Sequence, residues 1–204
     1  MKFNRLTVAL SAVLLCLLSP VFGQEPTKDS PYYPLKVGNK WTYRFTSGSS
    51  GTVDVRVAKL EKVGDVMCAL LEAKAGSDGT PTTEHVAVQA DGVYRYTSEG
   101  HKIEPPLRFL KLPPKSGDRW EVDSKSAGET VKGTFTLGEA EVTVGKMTNR
   151  KFKAITADTK DMTVGGNKME QTWWFAPEVG MVKQVYKFAD KEVVLELESF
   201  APGK

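Results

Sequence analysis

The sequence is poor in the side chains that metal and nucleophile chemistry draw on. It holds two cysteines and two histidines in 204 residues. A metal site needs several ligands converging at a recognised spacing. His85 follows Glu84 and His101 precedes Glu104 by three positions, yet both fall on polar or loop stretches and read as solvated. No metal and no cofactor is expected. The serines show no Gly-x-Ser-x-Gly elbow, and Ser47 to Gly51 is expected from its composition to be a flexible loop rather than a phosphate cradle ahead of a helix. Lysine and arginine total 28 against 25 acidic residues, with no basic run and no basic helix. Nucleic acid is therefore not an expected partner.

Long apolar runs are absent except at the start. Lys2 and Arg5 form a basic n-region, Leu6 to Leu18 is uncharged and apolar, and Pro20-Val21-Phe22-Gly23 supplies a breaker and small residues. The run is shorter than the roughly 20 residues of a bilayer span. Residues 1–23 are expected to be a secretory signal peptide, and residues 24–204 a single exported β domain that is not integral to the membrane, periplasmic or extracellular. Leu14 and Leu15 precede Cys16, where lipid attachment wants small residues, which argues against a lipid anchor. Cleavage leaves 26 basic and 25 acidic residues, a nearly neutral chain. It also leaves one cysteine, Cys68, which has no disulfide partner. Its neighbours Val66, Met67, Ala69 and Leu70 are apolar, as suits a buried and inert thiol.

What the sequence does have is a repeated stretch. Pro34-Leu35-Lys36-Val37-Gly38-Asn39-Lys40-Trp41 returns as Pro113-Pro114-Lys115-Ser116-Gly117-Asp118-Arg119-Trp120. Pro, Lys, Gly and Trp match at fixed spacing, which implies two tandem β units, about 32–103 and about 111–200. A motif present twice is better suited to shaping a corner than to chemistry.

Around it the hydrophobic period is two. Trp41, Tyr43 and Phe45 alternate with Thr42 and Arg44, and Val53, Val55 and Val57 with Asp54 and Arg56. Further strands are expected at 66–74, 83–89, 93–97, 131–137, 141–144, 151–157, 170–175, 181–188 and near 193–197. No stretch has the periodicity of an amphipathic helix. Two Pro-Pro pairs make 104–114 an extended apolar connection rather than a regular helix or central strand. Asp158 and Asp161, with Lys160 between them, read as a solvated turn. The expected fold is all-β: an antiparallel sheet of about ten or eleven strands from two meanders, curled into a barrel, half-barrel or clam.

Ala90-Asp91-Gly92 marks a hairpin. A two-residue turn places Tyr94 and Tyr96 with Ala87 and Gln89; a three-residue turn with left-handed Gly92 places them with Val86 and Val88. The second gathers the apolar residues and is the expected one. Trp173 shares a face with Phe175, which leaves Trp174 on the wet face, covered by the lead-in or the Pro-rich connection or else available to a ligand. Trp174, Tyr94 and Tyr96 are thus the candidate ligand-binding residues. No catalytic residue is identified.

The opening Tyr32-Tyr33-Pro34-Leu35-Lys36-Val37-Gly38-Asn39-Lys40-Trp41-Thr42-Tyr43 and the later Trp174-Phe175-Ala176-Pro177-Glu178-Val179-Gly180-Met181-Val182-Lys183 resemble a family of exported bacterial β proteins. These open with Tyr-Pro-Leu-x-x-Gly-x-x-Trp-x-Tyr and have no established activity. The resemblance implies a bacterial source, a sheet wrapped toward a barrel, and a cell-envelope location. The half-barrels of lipoprotein carriers are a looser analogy of fold. The expectation is a non-enzymatic binding module for a lipid or other apolar small molecule. The alternatives are an assembly partner of another envelope protein, or a hydrolase whose carboxylates the fold brings together.

Overall fold

A computed structural model describes residues 29–47, 51–76, 79–145 and 150–204. The expected signal peptide and Cys16 lie outside the described residues. Twelve strands follow in chain order. The first six are β1 (Lys40–Phe45), β2 (Thr52–Val63), β3 (Val66–Ala75), β4 (Thr82–Gln89), β5 (Gly92–Ser98) and β6 (His101–Lys111). The rest are β7 (Arg119–Ser126), β8 (Glu129–Val144), β9 (Arg150–Val164), β10 (Asn167–Ala176), β11 (Gly180–Phe188) and β12 (Lys191–Ala201). Each pairs antiparallel with the next, and β1 pairs with β12, so the meander closes into a barrel. No helix occurs among the described residues.

Alternation explains the closure. Trp41 and Tyr43 of β1, Val57 of β2, Leu71 of β3 and Phe175 of β10 are buried, while Arg44, Arg56 and Lys40 are exposed. One face of every strand therefore gains by turning inward, at roughly 25 cal/mol per Å² of apolar surface, and closure gives the first and last strands, β1 and β12, each other as partners. Side chains alone can fill a barrel of about eight strands. Twelve leave a wider lumen, and rings occupy much of it. Trp120 stacks on Phe135 with centroids 5.0 Å apart, and Phe135 stacks on Trp173 at 5.6 Å. The lead-in also enters the lumen. Tyr33 meets Phe109 and Phe175 edge-on at 5.3 and 6.0 Å.

The two eight-residue stretches form the same turn. Asn39 N–H donates to Lys36 O and Gly38 N–H to Val57 O, while Asn39 O accepts from Val57 N–H. Asp118, Lys115, Gly117 and Leu137 repeat all three bonds. Gly38 and Gly117 have φ of 89° and 87°, a region that costs a side-chain-bearing residue strain. The tryptophan that follows points inward in both places. Trp41 Nε1–H donates to Val179 O and Trp120 Nε1–H to Arg108 O, at 2.6 and 2.9 Å.

Three expectations are corrected. Most of the connection at 104–114 belongs to a strand, β6, but its Pro105-Pro106 pair interrupts the ladders. On β5, Arg95 faces Leu107 and Thr97 faces Lys102, so the prolines sit in a wide bulge. On the other side β6 pairs with β7 only at Ile103–Ser126 and Glu104–Lys125. This follows from a residue that cannot donate to a ladder. Secondly, Asp158 and Asp161 lie on β9 rather than in a turn. Asp158 accepts from Thr156 and Thr172, and Asp161 from Thr134.

The third correction concerns the hairpin. Gln89 pairs with Gly92, Val88 with Val93 and Ala87 with Tyr94, so the loop is the two residues Ala90 and Asp91. Gly92 is not left-handed. It is glycine because a Cβ there would lie 2.7 Å from Leu110 O and 2.6 Å from the Arg108 side chain. Tyr94 and Tyr96 therefore turn outward with Ala87 and Gln89. A turn shorter by one residue moves every side chain beyond it to the other face.

Candidate functional site

The lumen is not filled throughout. A cavity of about 190 Å³ lies where β2 and β4 begin, roofed by Tyr33 and Pro34 of the lead-in. Its walls are apolar: Trp41 and Tyr43 from β1, Val53 and Val55 from β2, Leu71 and Ala73 from β3, with Phe109, Trp173, Phe175, Met181 and Leu195 opposite. Val53, Val55 and Ala73 are only half-buried although they face inward. They border the cavity, while Val53 and Val55 also pack against the core.

Three polar side chains join this wall: Glu84, Arg95 and Gln184. Strand alternation puts them there. Glu84 shares the face of Val86 and Val88 on β4, Arg95 that of Val93 on β5, and Val86 stands opposite Arg95. A bulge at Tyr96 carries Thr97 to the outside, where His85 Nδ1 lies 2.7 Å from its hydroxyl. Glu84 Oε2 and Arg95 Nε are 2.8 Å apart. That nitrogen is shut off from solvent and its N–H is not aimed squarely enough to count as a hydrogen bond. The contact is thus an ion pair with hydrogen-bonding capacity left over. The guanidinium also lies over the Phe109 ring, 5.5 Å from its centroid, a cation–π contact that helps to fix it.

Tyr33 completes the group. Its backbone is tied down by Tyr33 N–H to Ser30 O at 3.1 Å. The hydroxyl has no hydrogen-bond partner among the described residues and borders the cavity. Burial holds the phenol well above its ordinary pKa; the Glu84 carboxylate adds to the rise and Arg95 opposes it. Tyr43 is raised chiefly by burial too, with its hydroxyl donating to Met181 O at 3.0 Å. Both phenols stay protonated in ordinary buffers; Tyr43 directs its proton to Met181 O, and Tyr33 keeps its own available.

The candidates from sequence lie elsewhere. Trp174 is on the outer face beneath Lys183, whose Nζ is 5.8 Å from the ring and 2.8 Å from Glu196. The long β8–β9 hairpin reaches this row, with Gly145 N–H donating to Glu196 Oε2 at 3.4 Å. Tyr94 donates to Asp91 at 2.8 Å and lies under Arg108. Tyr96 packs with Cys68 and Ala87 outside the lumen and is hydrogen-bonded to Gln89. None of the three lines the cavity. Cys68 itself is fully buried, and that burial pushes its thiol up to about 11.

Among the described residues, no three or more of His, Cys, Asp and Glu gather in a way that suits a metal ion. Among the described residues Glu84 is the one carboxylate on the cavity wall, and no second one stands beside it there as a paired acid and base would need. The geometry can enclose a small apolar body and offer polar contacts at one point.

No protein-family model matches the sequence, and no curated protein does. Two solved structures are similar to it. A protein of Parabacteroides distasonis ATCC 8503, provisionally described as a lipoprotein, aligns at 11% identity over 85% of this chain and 100% of its own, with a TM-score of 0.51. A protein of Bacteroides fragilis NCTC 9343, provisionally described as exported and having a YmcC-like fold, aligns at 14% identity over 84% and 99%, with a TM-score of 0.49. At such identities the first likeness speaks for the fold alone.

Proposed function

We propose that this is an exported cell-envelope protein that binds a small apolar molecule inside its barrel and catalyses nothing. One observation carries the reading: a cavity of about 190 Å³, apolar on most sides, with a few polar groups converging on it. That combination is the usual form of a small-molecule site, and a cavity of roughly 150 Å³ is enough to hold benzene. Export is supported by the basic and apolar first 23 residues, and the description of the Parabacteroides neighbour is consistent with it. An apolar lumen within a charged exterior reverses the pattern of a membrane-spanning barrel. It supports a protein that works in water after its signal is removed. The matched turns at Lys36–Asn39 and Lys115–Asp118 support two six-strand copies within one domain.

The test is calorimetric titration of the purified exported chain with 1-octanol and with benzene. Saturable binding of one molecule per chain, with quenching or enhancement of tryptophan fluorescence from Trp41 and Trp173, is expected. No heat and no fluorescence change with either would remove the reading.

The second reading is a docking scaffold for another envelope protein. It is favoured by the seam between β6 and β7, where two residue pairs are the whole ladder. Residues 119–124 of β7 pair only with β8, and an exposed strand edge is a place where an extended segment adds. Crosslinking in cells that yields monomer alone would count against it.

A further inference from the structure

We infer that the lumen ligand carries one carboxylate at the end of a short apolar body, and that Arg95 receives it. The inference rests on the ligand-binding reading above and names the chemical class. Glu84 occupies the Nε side of the Arg95 guanidinium, at 2.8 Å, and Phe109 lies under its plane. The two terminal nitrogens are therefore the groups left to meet a ligand. They form no hydrogen bond among the described residues, and of the guanidinium nitrogens only Nε is shut off from solvent. Two parallel N–H groups match a planar carboxylate as a fork, which a lysine would not offer.

The surroundings favour the same class. Among the described residues, Tyr33 presents a hydroxyl without a partner, and Gln184 an amide without one, from other parts of the wall. Each is a donor type that can satisfy a carboxylate lone pair the guanidinium leaves open. A cationic head group fits poorly. It would meet Glu84 from the side that Arg95 already holds, against the repulsion of that guanidinium. An uncharged alcohol satisfies at most part of the fork. Glu84 has a positioning role, orienting the guanidinium and offsetting its charge in an apolar setting where a lone cation is costly.

Volume sets the length. Set beside the roughly 150 Å³ that benzene occupies comfortably, the lumen takes a body of about six to ten heavy atoms. A medium-chain fatty acid or an aryl-acetic acid meets both requirements. Its apolar end then lies against Trp41, Val55 and Leu195.

The experiment is a matched series of octanoate, 1-octanol and octylamine, titrated into the purified exported chain at neutral pH and moderate salt. Octanoate is expected to bind at least tenfold more tightly than 1-octanol, and octylamine least. Arg95→Met, which keeps the side chain's bulk, is expected to abolish that preference while 1-octanol still binds. Tyr33→Phe, which removes a single oxygen, is expected to weaken octanoate several-fold and 1-octanol by less, because an alcohol oxygen makes one weaker, uncharged hydrogen bond. Equal affinity for octanoate and 1-octanol in the wild type overturns the carboxylate assignment while the lumen reading stands. Failure of all three to bind overturns both. Should Arg95→Met not fold, the wild-type series and Tyr33→Phe decide the matter alone.

Discussion

Glu84 and Arg95 stand 2.8 Å apart on adjacent strands and face the inside of a barrel whose other walls are almost wholly apolar. A charged pair in that place needs a reason, because apolar residues of similar size there would often be neutral or stabilising. Its side chains keep a quarter and a third of their surface, so the lumen reaches them. Replacing Glu84 by Gln leaves the guanidinium without its counter-charge. The expected cost is about 1–2 kcal/mol, less than the roughly 3–5 kcal/mol of a fully buried pair, because solvent in the lumen screens both groups. Urea unfolding of Glu84→Gln checks this, and a midpoint equal to wild type would show that the pair is not coupled.

Trp41 and Trp120 should matter to stability more than to binding of any partner at the surface. Each is buried, hydrogen-bonded through its indole and stacked on another ring, Phe200 for Trp41 and Phe135 for Trp120. Truncation to Ala is expected to cost about 3–5 kcal/mol. Trp41→Phe keeps much of the packing and strands Val179 O, for about 1–2 kcal/mol. Equilibrium denaturation of the three variants gives the order directly, and Trp41→Phe as damaging as Trp41→Ala would contradict it.

Gly92 and Gly64 separate two uses of glycine. Gly64 is left-handed at φ 61° with open space where a side chain would go, so Gly64→Ala should cost about 1 kcal/mol in backbone strain. Gly92 is not left-handed but lies against β6, where a Cβ meets the Leu110 carbonyl at 2.7 Å. Backbone cannot move aside as a side chain can. Gly92→Ala is expected to cost about 1–3 kcal/mol and to loosen the β5–β6 ladder, which amide exchange of Val93 and Leu110 would report.

Stability should fall on the alkaline side. The Cys68 thiol is raised from 9.0 to about 11, chiefly by burial. A raised acid leaves stability untouched below the unfolded value. Above 9.0 the unfolded chain ionises first, so stability drops as pH climbs toward 11. Tyr33 and Tyr43 act in the same direction from about pH 10 upward. Urea midpoints between pH 7 and 10.5 are expected to be flat and then to decline, with a shallower first decline in Cys68→Ala. A rise over that range would contradict the burial of the thiol.

Much of the barrel can be read from alternation, since Trp41-Thr42-Tyr43 and Val53-Asp54-Val55 each assign their faces without help. The paired turns are legible too, because Pro, Lys, Gly and Trp recur at one spacing. The β6 strand is less so. Its prolines truly forbid ladder bonds, but a bulge hides two of them without ending the strand. The site was missed for one reason. Placing Tyr94 and Tyr96 inward with Val86 puts Arg95 outward, and a single residue of turn length decides between the two. The signal that would have found the site was present in Glu84-His85-Val86 and Val93-Tyr94-Arg95: a charge at the same parity as buried valines on both strands. Trp174 stands outside as its parity with Thr172 requires, but its contact with Lys183 depends on strands far apart in sequence.

The claim that the lumen is the binding site is tested most directly by filling it. Ala73 is small and borders the cavity, so Ala73→Leu places three more carbons in that space. The measurement is the affinity of this variant for 1-octanol, taken beside its melting temperature. The account predicts binding at least tenfold weaker than wild type in a protein that melts no lower. A folded Ala73→Leu variant that binds 1-octanol as tightly as wild type would place the ligand elsewhere and contradict it.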